Sequence, residues 1–308
     1  MIPFQVTIIG SGSAIPSLHR AATSQLVHHN GNYILIDCAE GTQLLLKKIK
    51  ISPMRIDHIL ISHLHGDHYF GLAGLINSLH LIGRNDPLNI YGPAQLFDII
   101  DLQLKVADTS LRYPLIFKPL IPDGKQLVFE TRQLKIWSFP VKHRIPTWGF
   151  QLTEKVSETN QDEHSKESGN PFACETPITQ KGGACLHKMS KMPFPAEKID
   201  ADVTPARSYA YCTDTAFCPD TASYIKGVDL LYHEATFMEN LAKTAEATFH
   251  STTKQAAEIA KMSEAGKLII GHFSSRYTDL DPLLEESRKI FQKTDLALDG
   301  MTFSIGEK

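Results

Sequence analysis

Cysteine is scarce in this chain of 308 residues: there are five, widely spaced, and none forms a Cys-x-x-Cys pair. This argues against a disulfide framework, and reduced thiols are typical of cytoplasmic proteins. No apolar run approaches the roughly 18 residues that a membrane helix needs, so we expect no membrane partner. The first ten residues carry neither a positive flank nor a cleavage signal, and we expect them to form the first strand of a cytoplasmic protein.

An excess of charge of one sign is also lacking. The 31 Lys and Arg residues face 34 Asp and Glu residues, which gives a formal net charge of −3 at pH 7. The chain therefore has no global basic field that would indicate nucleic-acid binding by charge alone. Hydrophobic residues make up 42% and charged residues 21%, which argues against a disordered, collagen-like or coiled-coil chain. The length permits two domains, but α/β folds of this size are often single.

Strand-like and helix-like patterns alternate along the chain. Short apolar runs predict strands, and apolar residues three or four apart predict amphipathic helices. Strands are expected at 4–9, 25–28, 33–37, 56–61, 88–91, 127–129, 134–140, 148–152, 209–212, 230–233, 268–270 and 301–305, and helices at 41–50, 70–82, 94–106, 253–263 and 282–291. This order predicts a layered α/β fold with sheet in the centre and helices outside.

One segment, about 153–207, breaks this pattern. It is poor in periodicity and rich in Glu, Ser, Lys, Gly and Pro, and a loop of this length inside a compact domain is either functional or disordered. We expect an inserted arm on one domain and not a linker between two. Its acidic residues Glu154, Glu158, Asp162, Glu163 and Glu167 precede Lys181, His187, Lys188, Lys191 and Lys198. The basic part could bind phosphate, and a solvated insertion is an equal alternative.

Histidine is abundant, with 14 residues, and it is the commonest metal ligand in proteins. Residues 63–68 read His-Leu-His-Gly-Asp-His and follow a predicted strand. His63 and His65 face the same way in an extended segment, and a following turn can bring Asp67 and His68 to a second ion. Such ligands suit zinc, manganese or iron. The alternative is a solvated histidine-rich loop, but strand ends are where α/β proteins place their sites.

Four residues cannot complete two metal sites, so further ligands must come from later in the chain. His143, Asp214 and His272 each lie just beyond a predicted strand, as His63 does. For any one of them alone, a hydrogen-bonded structural role is an equal alternative. Together, however, these strand ends favour metal binding, and Asp214 could bridge two cations about 3.5–4 Å apart through its two oxygens.

These residues resemble the metallo-β-lactamase superfamily, and the motifs around them resemble its ribonuclease Z family, which matures the 3′ end of transfer RNA. The motifs are Gly-Ser-Gly-Ser-Ala-Ile-Pro at 10–16, Asp-Cys-Ala-Glu-Gly-Thr-Gln at 37–43, Pro-Val-Lys-His at 140–143, Cys-Thr-Asp-Thr at 212–215, His-Glu-Ala-Thr-Phe at 233–237, His-Ser-Thr at 250–252 and Gly-His-Phe-Ser-Ser-Arg-Tyr at 271–277. They occur in the family's order over most of the chain. The histidine run at 63–68 is typical of the whole superfamily, whereas the last three motifs together indicate the ribonuclease Z family within it.

The resemblance implies an αββα sandwich that carries two zinc ions, with manganese able to substitute. In this scheme the first ion is held by His63, His65 and His143, and the second by Asp67, His68 and His272, with Asp214 bridging. Asp67 would also accept a proton from the attacking water, and His250, paired with Glu234, would donate one to the leaving oxygen. Asp37 would support the histidine ligands. For His250 alone, a surface position is the alternative, because the Ser and Thr that follow it are good N-caps.

The activity implied is removal of the 3′ trailer from precursor transfer RNA by metal-activated water, which leaves a 3′-hydroxyl on the transfer RNA. The arm would grip the transfer RNA, although it lacks the Gly-Pro run that often marks its tip, and the protein would be a homodimer. Two other functions stay open. One is a hydrolase of the same fold acting on a small phosphodiester, sulfate ester or thioester, and the other is a metal-binding RNA chaperone without catalysis.

Overall fold

The computed structural model describes residues 2–15, 17–155 and 206–306 of the chain. The predicted inserted arm at about 153–207 therefore lies almost wholly outside the described residues. Among the residues that are described, no helix combines the length and apolar character needed to cross a bilayer.

The described strands form two sheets of seven. The first sheet has the order β14-β1-β2-β3-β4-β5-β6 and comprises β1 (Phe4–Gly10), β2 (Ser24–His29), β3 (Asn32–Ile36), β4 (Ile56–Leu60), β5 (Leu88–Gly92), β6 (Leu115–Pro119) and β14 (Thr302–Ser304). The second has the order β13-β12-β11-β10-β9-β8-β7 and comprises β7 (Gln126–Glu130), β8 (Leu134–Pro140), β9 (Trp148–Glu154), β10 (Ser208–Cys212), β11 (Leu230–Glu234), β12 (Lys267–Gly271) and β13 (Thr294–Leu296).

Both sheets combine antiparallel and parallel pairing. Strands β14, β1, β2 and β3 pair antiparallel, whereas β3, β4, β5 and β6 run parallel. In the second sheet β7 to β10 pair antiparallel and β10 to β13 run parallel. Because the carboxyl ends of neighbouring parallel strands meet at one edge of a sheet, the loops that follow them form a shared surface for side chains that bind or react.

Helices and short turns connect the strands. The α-helices are α1 (Thr42–Lys48), α2 (Gly66–Tyr69), α3 (Leu72–Leu81), α4 (Gln95–Val106), α5 (Thr221–Tyr224), α6 (Ala242–Thr248), α7 (Thr253–Met262) and α8 (Asp281–Arg288), and 3₁₀ turns lie at Pro53–Arg55 and Glu239–Leu241. Helix α7 begins at a capping box, in which the Thr252 side chain accepts from the Gln255 backbone and the Gln255 side chain accepts from the Thr252 backbone.

Three apolar clusters show the layering. The central cluster joins the two sheets, for example through Val6 of β1 and Phe150 of β9. A second cluster packs α3 and α4 on the outer face of the first sheet, and a third packs α7 on the outer face of the second sheet. The layers therefore follow the order helix, sheet, sheet, helix, and the αββα sandwich is confirmed.

Strand β10 illustrates how the sequence specifies this arrangement. Tyr209 and Tyr211 belong to the central cluster between the sheets, whereas Ala210 and Cys212 belong to the cluster beneath the helices. All four side chains are fully buried. Burial on both faces is typical of parallel strands covered by helices, and it explains why such strands are apolar throughout and do not alternate with polar residues.

The strands that precede and follow residues 156–205 are tied together. Thr153 of β9 pairs with Ser208 of β10. Next to them, Arg207 donates hydrogen bonds to both oxygens of Glu154, with Nε to Oε2 at 2.8 Å and Nη2 to Oε1 at 2.6 Å, and His29 Nε2 lies 2.9 Å from Oε1. Although partial burial alone would raise the pKa of Glu154, the hydrogen bonds from Arg207 and His29 lower it. Glu154 is thus held in place at the end of β9.

Candidate metal centre and active site

Every predicted metal-binding residue follows the carboxyl end of a strand. The four residues His63, His65, Asp67 and His68 follow β4 and extend into α2, whereas His143 follows β8, Asp214 follows β10 and His272 follows β12. The side chains of His63, His68, Asp214 and His272 are almost completely buried. Both sheets therefore contribute to one site.

The first cluster consists of His63, His65, His143 and Asp214, whose ligand-type atoms lie within 4.8 Å of one another. The Nδ1 atom of His65 lies 3.0 Å from His63 Nε2 and 3.2 Å from His143 Nε2. The Oδ2 atom of Asp214 lies 3.6 Å from His63 Nε2 and 3.9 Å from His143 Nε2. Three imidazoles and one carboxylate thus converge on a common point.

The second cluster consists of Asp67, His68 and His272. The Oδ2 atom of Asp67 lies 3.6 Å from His68 Nε2 and 3.5 Å from His272 Nε2. The same two nitrogens lie 3.3 and 3.1 Å from Oδ1 of Asp214. One oxygen of Asp214 therefore faces each cluster, which is the arrangement that a bridging carboxylate needs.

The chemistry of these atoms fits divalent cations. The Nε2 atoms of His68 and His272 are buried, and within the described residues neither makes a well-aligned hydrogen bond. The other ring nitrogen, Nδ1, is held in four of the five histidines: that of His63 by Ser62 Oγ, that of His68 by Asp37 Oδ2, that of His143 by the Phe249 carbonyl and that of His272 by Thr236 Oγ1. A histidine held at Nδ1 presents Nε2 to a cation, as metal sites require.

The electrostatics of the clusters favour the same interpretation. Burial lowers the pKa of His63, His65 and His143, which favours the neutral form of imidazole that binds metals. Burial alone would raise the pKa of Asp214, but His272 and His68 outweigh it and hold the pKa well below its usual range. The first cluster thus places three imidazoles with lowered pKa values beside an ionised carboxylate. At His68, burial alone would lower the pKa, but the carboxylates of Asp214, Asp67 and Asp37 raise it well above its usual range.

Glu234 and His250 form a pair beside the clusters. His250 Nδ1 lies 2.9 Å from Glu234 Oε1, and the ring of His250 stacks against that of His272 with centroids 5.4 Å apart. Burial alone would lower the pKa of His250, but the Glu234 carboxylate raises it to about 9. The His250 side chain is 17% exposed and lines the cavity, and Thr252, two residues later, caps the helix that follows. The contact with Glu234 favours the pairing over an isolated surface position.

The clusters open into a cavity of about 770 Å³. Its wall includes Asp67, His250 and two exposed cations, Arg144 and Arg276, together with the aromatic ring of Phe70. The amide of Ala14 forms part of the rim and donates to Asp67 Oδ2 at 2.7 Å. The cavity thus combines the candidate metal-binding residues with two exposed cations and one exposed carboxylate, Glu40. The excess of exposed positive charge over Glu40 suits an anionic substrate.

Comparison with known proteins identifies the family of this chain. A ribonuclease Z from Parabacteroides distasonis is 41% identical over 307 residues, which cover 99% of this chain and 100% of that protein. The chain belongs to the ribonuclease Z family. Residues 4–160 also match the family model described as Anti-Pycsar protein Apyc1 and so belong to that family as well.

Solved structures show the same fold. The crystal structure of human tRNase Z, short form, superposes with a TM-score of 0.72 at 28% identity, and covers 98% of this chain and 100% of that one. The metallo-β-lactamase fold protein YhfI from Bacillus subtilis superposes with a TM-score of 0.69 at 17% identity, over 99% of this chain and 100% of that one, and supports the fold alone.

Four of the eight non-glycine residues with positive φ in the described part of the chain lie at the centre of this ribonuclease Z family member. Ala14, Asp37, Phe249 and His272 all have φ between 55° and 59°, the left-handed region that residues with a Cβ rarely adopt. Three of them contribute a supporting contact, through the Ala14 amide, the Asp37 carboxylate and the Phe249 carbonyl, and His272 is itself a member of a cluster. Such strain persists only where the surrounding structure holds it in place, and it is typical of functional sites.

Several residues that support the site were not singled out by the sequence analysis. They are Ser62, Thr236, Tyr211 and the backbone amide of Ala14. Thr236 and Ala14 lie within the ribonuclease Z motifs at 233–237 and 10–16, which was the one available signal. Ser62 and Tyr211 carried none, because each looks like an ordinary strand residue until the fold brings Asp37 next to it.

Proposed function

We propose that this protein is a metal-dependent endoribonuclease that removes the 3′ trailer from precursor transfer RNA. The observation that carries the proposal is the position of Asp214 between two histidine clusters at the base of one cavity. The relatives named ribonuclease Z match along the whole chain, and they favour this activity over hydrolysis of a small phosphodiester, sulfate ester or thioester. The substrate class follows from the family.

We further propose that the site takes two zinc ions, with manganese able to substitute. The first would be held by His63, His65 and His143, and the second by Asp67, His68 and His272, with Asp214 bridging. Bound there, the cations would lower the pKa of a water molecule and neutralise negative charge on the phosphate. The imidazole rings support this proposal, because contacts at Nδ1 leave their Nε2 atoms available for a cation.

The protein groups then have separate roles. Asp67 accepts the proton of the attacking water, and the hydrogen bond from the Ala14 amide fixes one of its oxygens. His250 donates a proton to the leaving oxygen, because Glu234 holds its Nδ1 and leaves Nε2 for the substrate. Attack by water, and not by the ribose 2′-hydroxyl, leaves a 3′-hydroxyl on the transfer RNA and a 5′-phosphate on the trailer.

The arm, the assembly and the location are parts of the same proposal. We propose that the segment at about 153–207 is an arm of a single domain and binds transfer RNA, and that the protein is a homodimer in the cytoplasm. The free thiols of Cys38, Cys212 and Cys218 are consistent with a reducing compartment. A sedimentation mass equal to one chain would contradict the homodimer.

Cleavage of a 3′-extended precursor transfer RNA in the presence of zinc or manganese tests the activity. We expect a cut near the discriminator base, and a loss of about 100-fold or more in His65→Ala. The matched control is His80→Ala on α3, whose ring accepts from the Arg112 amide outside the cavity and whose loss should leave the rate unchanged.

Two results would contradict this function: no cut near the discriminator base, or cleavage by His65→Ala at the wild-type rate. Turnover of bis(p-nitrophenyl) phosphate without RNA cleavage would favour the small-ester hydrolase instead. Tight transfer RNA binding without any product would favour the RNA chaperone.

A further inference from the structure

The hydroxyl of Thr236 lies between an imidazole and a carboxylate. Thr236 Oγ1 donates to Glu234 Oε2 at 2.8 Å and lies 2.9 Å from His272 Nδ1. A hydroxyl carries a single proton, so an oxygen that donates to a carboxylate can only accept from its other neighbours. Of these, His250 Nδ1 is 3.4 Å away and is held by Glu234 Oε1 at 2.9 Å, which leaves His272. The contact at 2.9 Å is therefore a hydrogen bond from His272 Nδ1–H, and in the neutral ring, the form that binds a cation, the lone pair is then on Nε2.

The surroundings fix the direction of this hydrogen-bonded chain. Glu234 is fully buried, and Thr236 and His272 are 3% and 2% exposed, so bulk water does not compete for these contacts. The donors to Glu234 are the Thr215 and Ser251 amides and His250 Nδ1 at Oε1, and the Thr236 amide and hydroxyl at Oε2. A carboxylate surrounded by five donors acts only as an acceptor, which leaves the Thr236 hydroxyl one orientation.

The same arrangement occurs in the other cluster. Ser62 Oγ donates to Asp37 Oδ2 at 2.9 Å and lies 3.0 Å from His63 Nδ1. Each cluster thus contains one histidine that reaches a buried carboxylate through a single hydroxyl. The repetition on two different strand ends indicates a functional arrangement, since an isolated contact of this kind could arise from packing alone.

We propose that Thr236 is a positioning residue of the metal centre, because its hydroxyl holds His272 in the tautomer that presents Nε2 to a cation. The proposal rests on the metal centre proposed above. It gives Glu234 two tasks: Oε1 holds the proton donor His250, and Oε2 orients His272 through Thr236. The buried carboxylate of Glu234 then orients both the proton donor His250 and the metal-binding residue His272.

Two substitutions at this position separate the hydroxyl from the packing. Thr236→Val keeps the shape of the side chain and removes the hydroxyl, whereas Thr236→Ser keeps the hydroxyl and removes the methyl group. Affinity for zinc is measured by competition with a chromophoric chelator. We expect Thr236→Val to bind one of the two zinc equivalents about 10-fold more weakly, the lower end of what loss of such a supporting contact costs, and Thr236→Ser to stay within about twofold of the wild type.

A measurement on the unmodified protein keeps the proposal testable if Thr236→Val does not fold. In ¹⁵N-labelled, metal-free wild-type protein, the His272 ring should carry its proton on Nδ1. The proposal is overturned if that proton resides on Nε2, if Thr236→Val binds zinc as tightly as the wild type, or if Thr236→Ser is as weak as Thr236→Val. A wild-type protein that binds no divalent cation would overturn the metal centre itself, and the role of Thr236 with it.

Discussion

The carboxylate of Asp37 is fully buried, and four hydrogen bonds satisfy it. The Ser62 amide donates to Oδ1, whereas His68 Nδ1, Ser62 Oγ and the Tyr211 hydroxyl contact Oδ2 at 2.8, 2.9 and 2.6 Å. Burying a carboxylate is costly unless donors surround it in this way. Asp37 therefore orients His68 directly and His63 through Ser62, one histidine from each cluster.

Tyr211→Phe should weaken this support. It removes the shortest of the hydrogen bonds to Asp37, and a hydrogen bond to a charged group contributes about 2 kcal/mol. We expect the free energy of unfolding of the metal-free protein to fall by about that amount, and its affinity for zinc to fall in parallel. Denaturant unfolding and chelator competition measure the two effects.

Tyr232→Phe is the matched control for Tyr211→Phe. The Tyr232 ring stacks on that of Tyr211 with centroids 5.0 Å apart and is equally buried, but no hydrogen bond joins its hydroxyl to Asp37 in the described part of the chain. We expect this variant to lose less than about 1 kcal/mol and to retain its zinc affinity. Equal losses in the two variants would show that the Asp37 contact has no special importance.

Positions after predicted strands and the family resemblance predicted which histidines and aspartates come together, but not how they are held. The structure brings all seven predicted metal-binding residues into two clusters that share Asp214. Serine and threonine are common at strand ends, so Ser62 carried no signal in the sequence, and the only signal for Thr236 was its place in the motif at 233–237. Their roles depend on side-chain distances of 2.8–3.0 Å that only the folded chain defines.

At the scale of elements, Gly71 sets how closely α3 approaches the loop after β3. A Cβ atom at Gly71 would lie 2.0 Å from the Ala39 carbonyl oxygen, which belongs to the backbone and cannot move aside. Gly71→Ala should therefore lower the free energy of unfolding by about 3 kcal/mol or more. Thermal or denaturant unfolding of the purified variant gives this value.

Gly74→Ala, one turn further along α3, is the control for Gly71→Ala. A Cβ atom there meets only the flexible Gln43 side chain at 3.5 Å, which is ordinary contact. Because alanine is the better helix former, this variant should gain about 0.5–1 kcal/mol. If Gly71→Ala and Gly74→Ala lower the free energy of unfolding equally, the close approach at Gly71 does not explain the loss of stability in Gly71→Ala.

Most elements with strong apolar patterns were predicted, but two edge strands were missed, one of them despite the apolar run at 115–117. Strands β6 (Leu115–Pro119) and β13 (Thr294–Leu296) were not predicted. Each lies at the edge of its sheet, where only one neighbour is needed, so neither sequence has to be apolar throughout. Helix α3 begins at Leu72 and not at 70, because the Gly71 amide donates to the Cys38 carbonyl and so fixes the start of the helix against the loop after β3.

At the scale of the molecule, the centre connects the two sheets. His63, His65, Asp67 and His68 come from the first sheet, and His143, Asp214 and His272 come from the second. Each cluster contains members from both, so a cation bound to either one would join the sheets. A ligand that binds the folded state alone stabilises it by about 2.7 kcal/mol when its free concentration is 100 times its dissociation constant.

Removing metal should therefore destabilise the whole sandwich as well as stop catalysis. We expect chelation to lower the unfolding midpoint of the wild type, and zinc at 100 times its dissociation constant to restore about 2.7 kcal/mol for each site filled. In His65→Ala, zinc binding at the first cluster should add less to the free energy of unfolding than in the wild type. The stability of the metal-free variant should stay close to that of the metal-free wild type, because His65 is only partly buried. A wild-type midpoint that does not respond to zinc would contradict a cation that joins the two sheets.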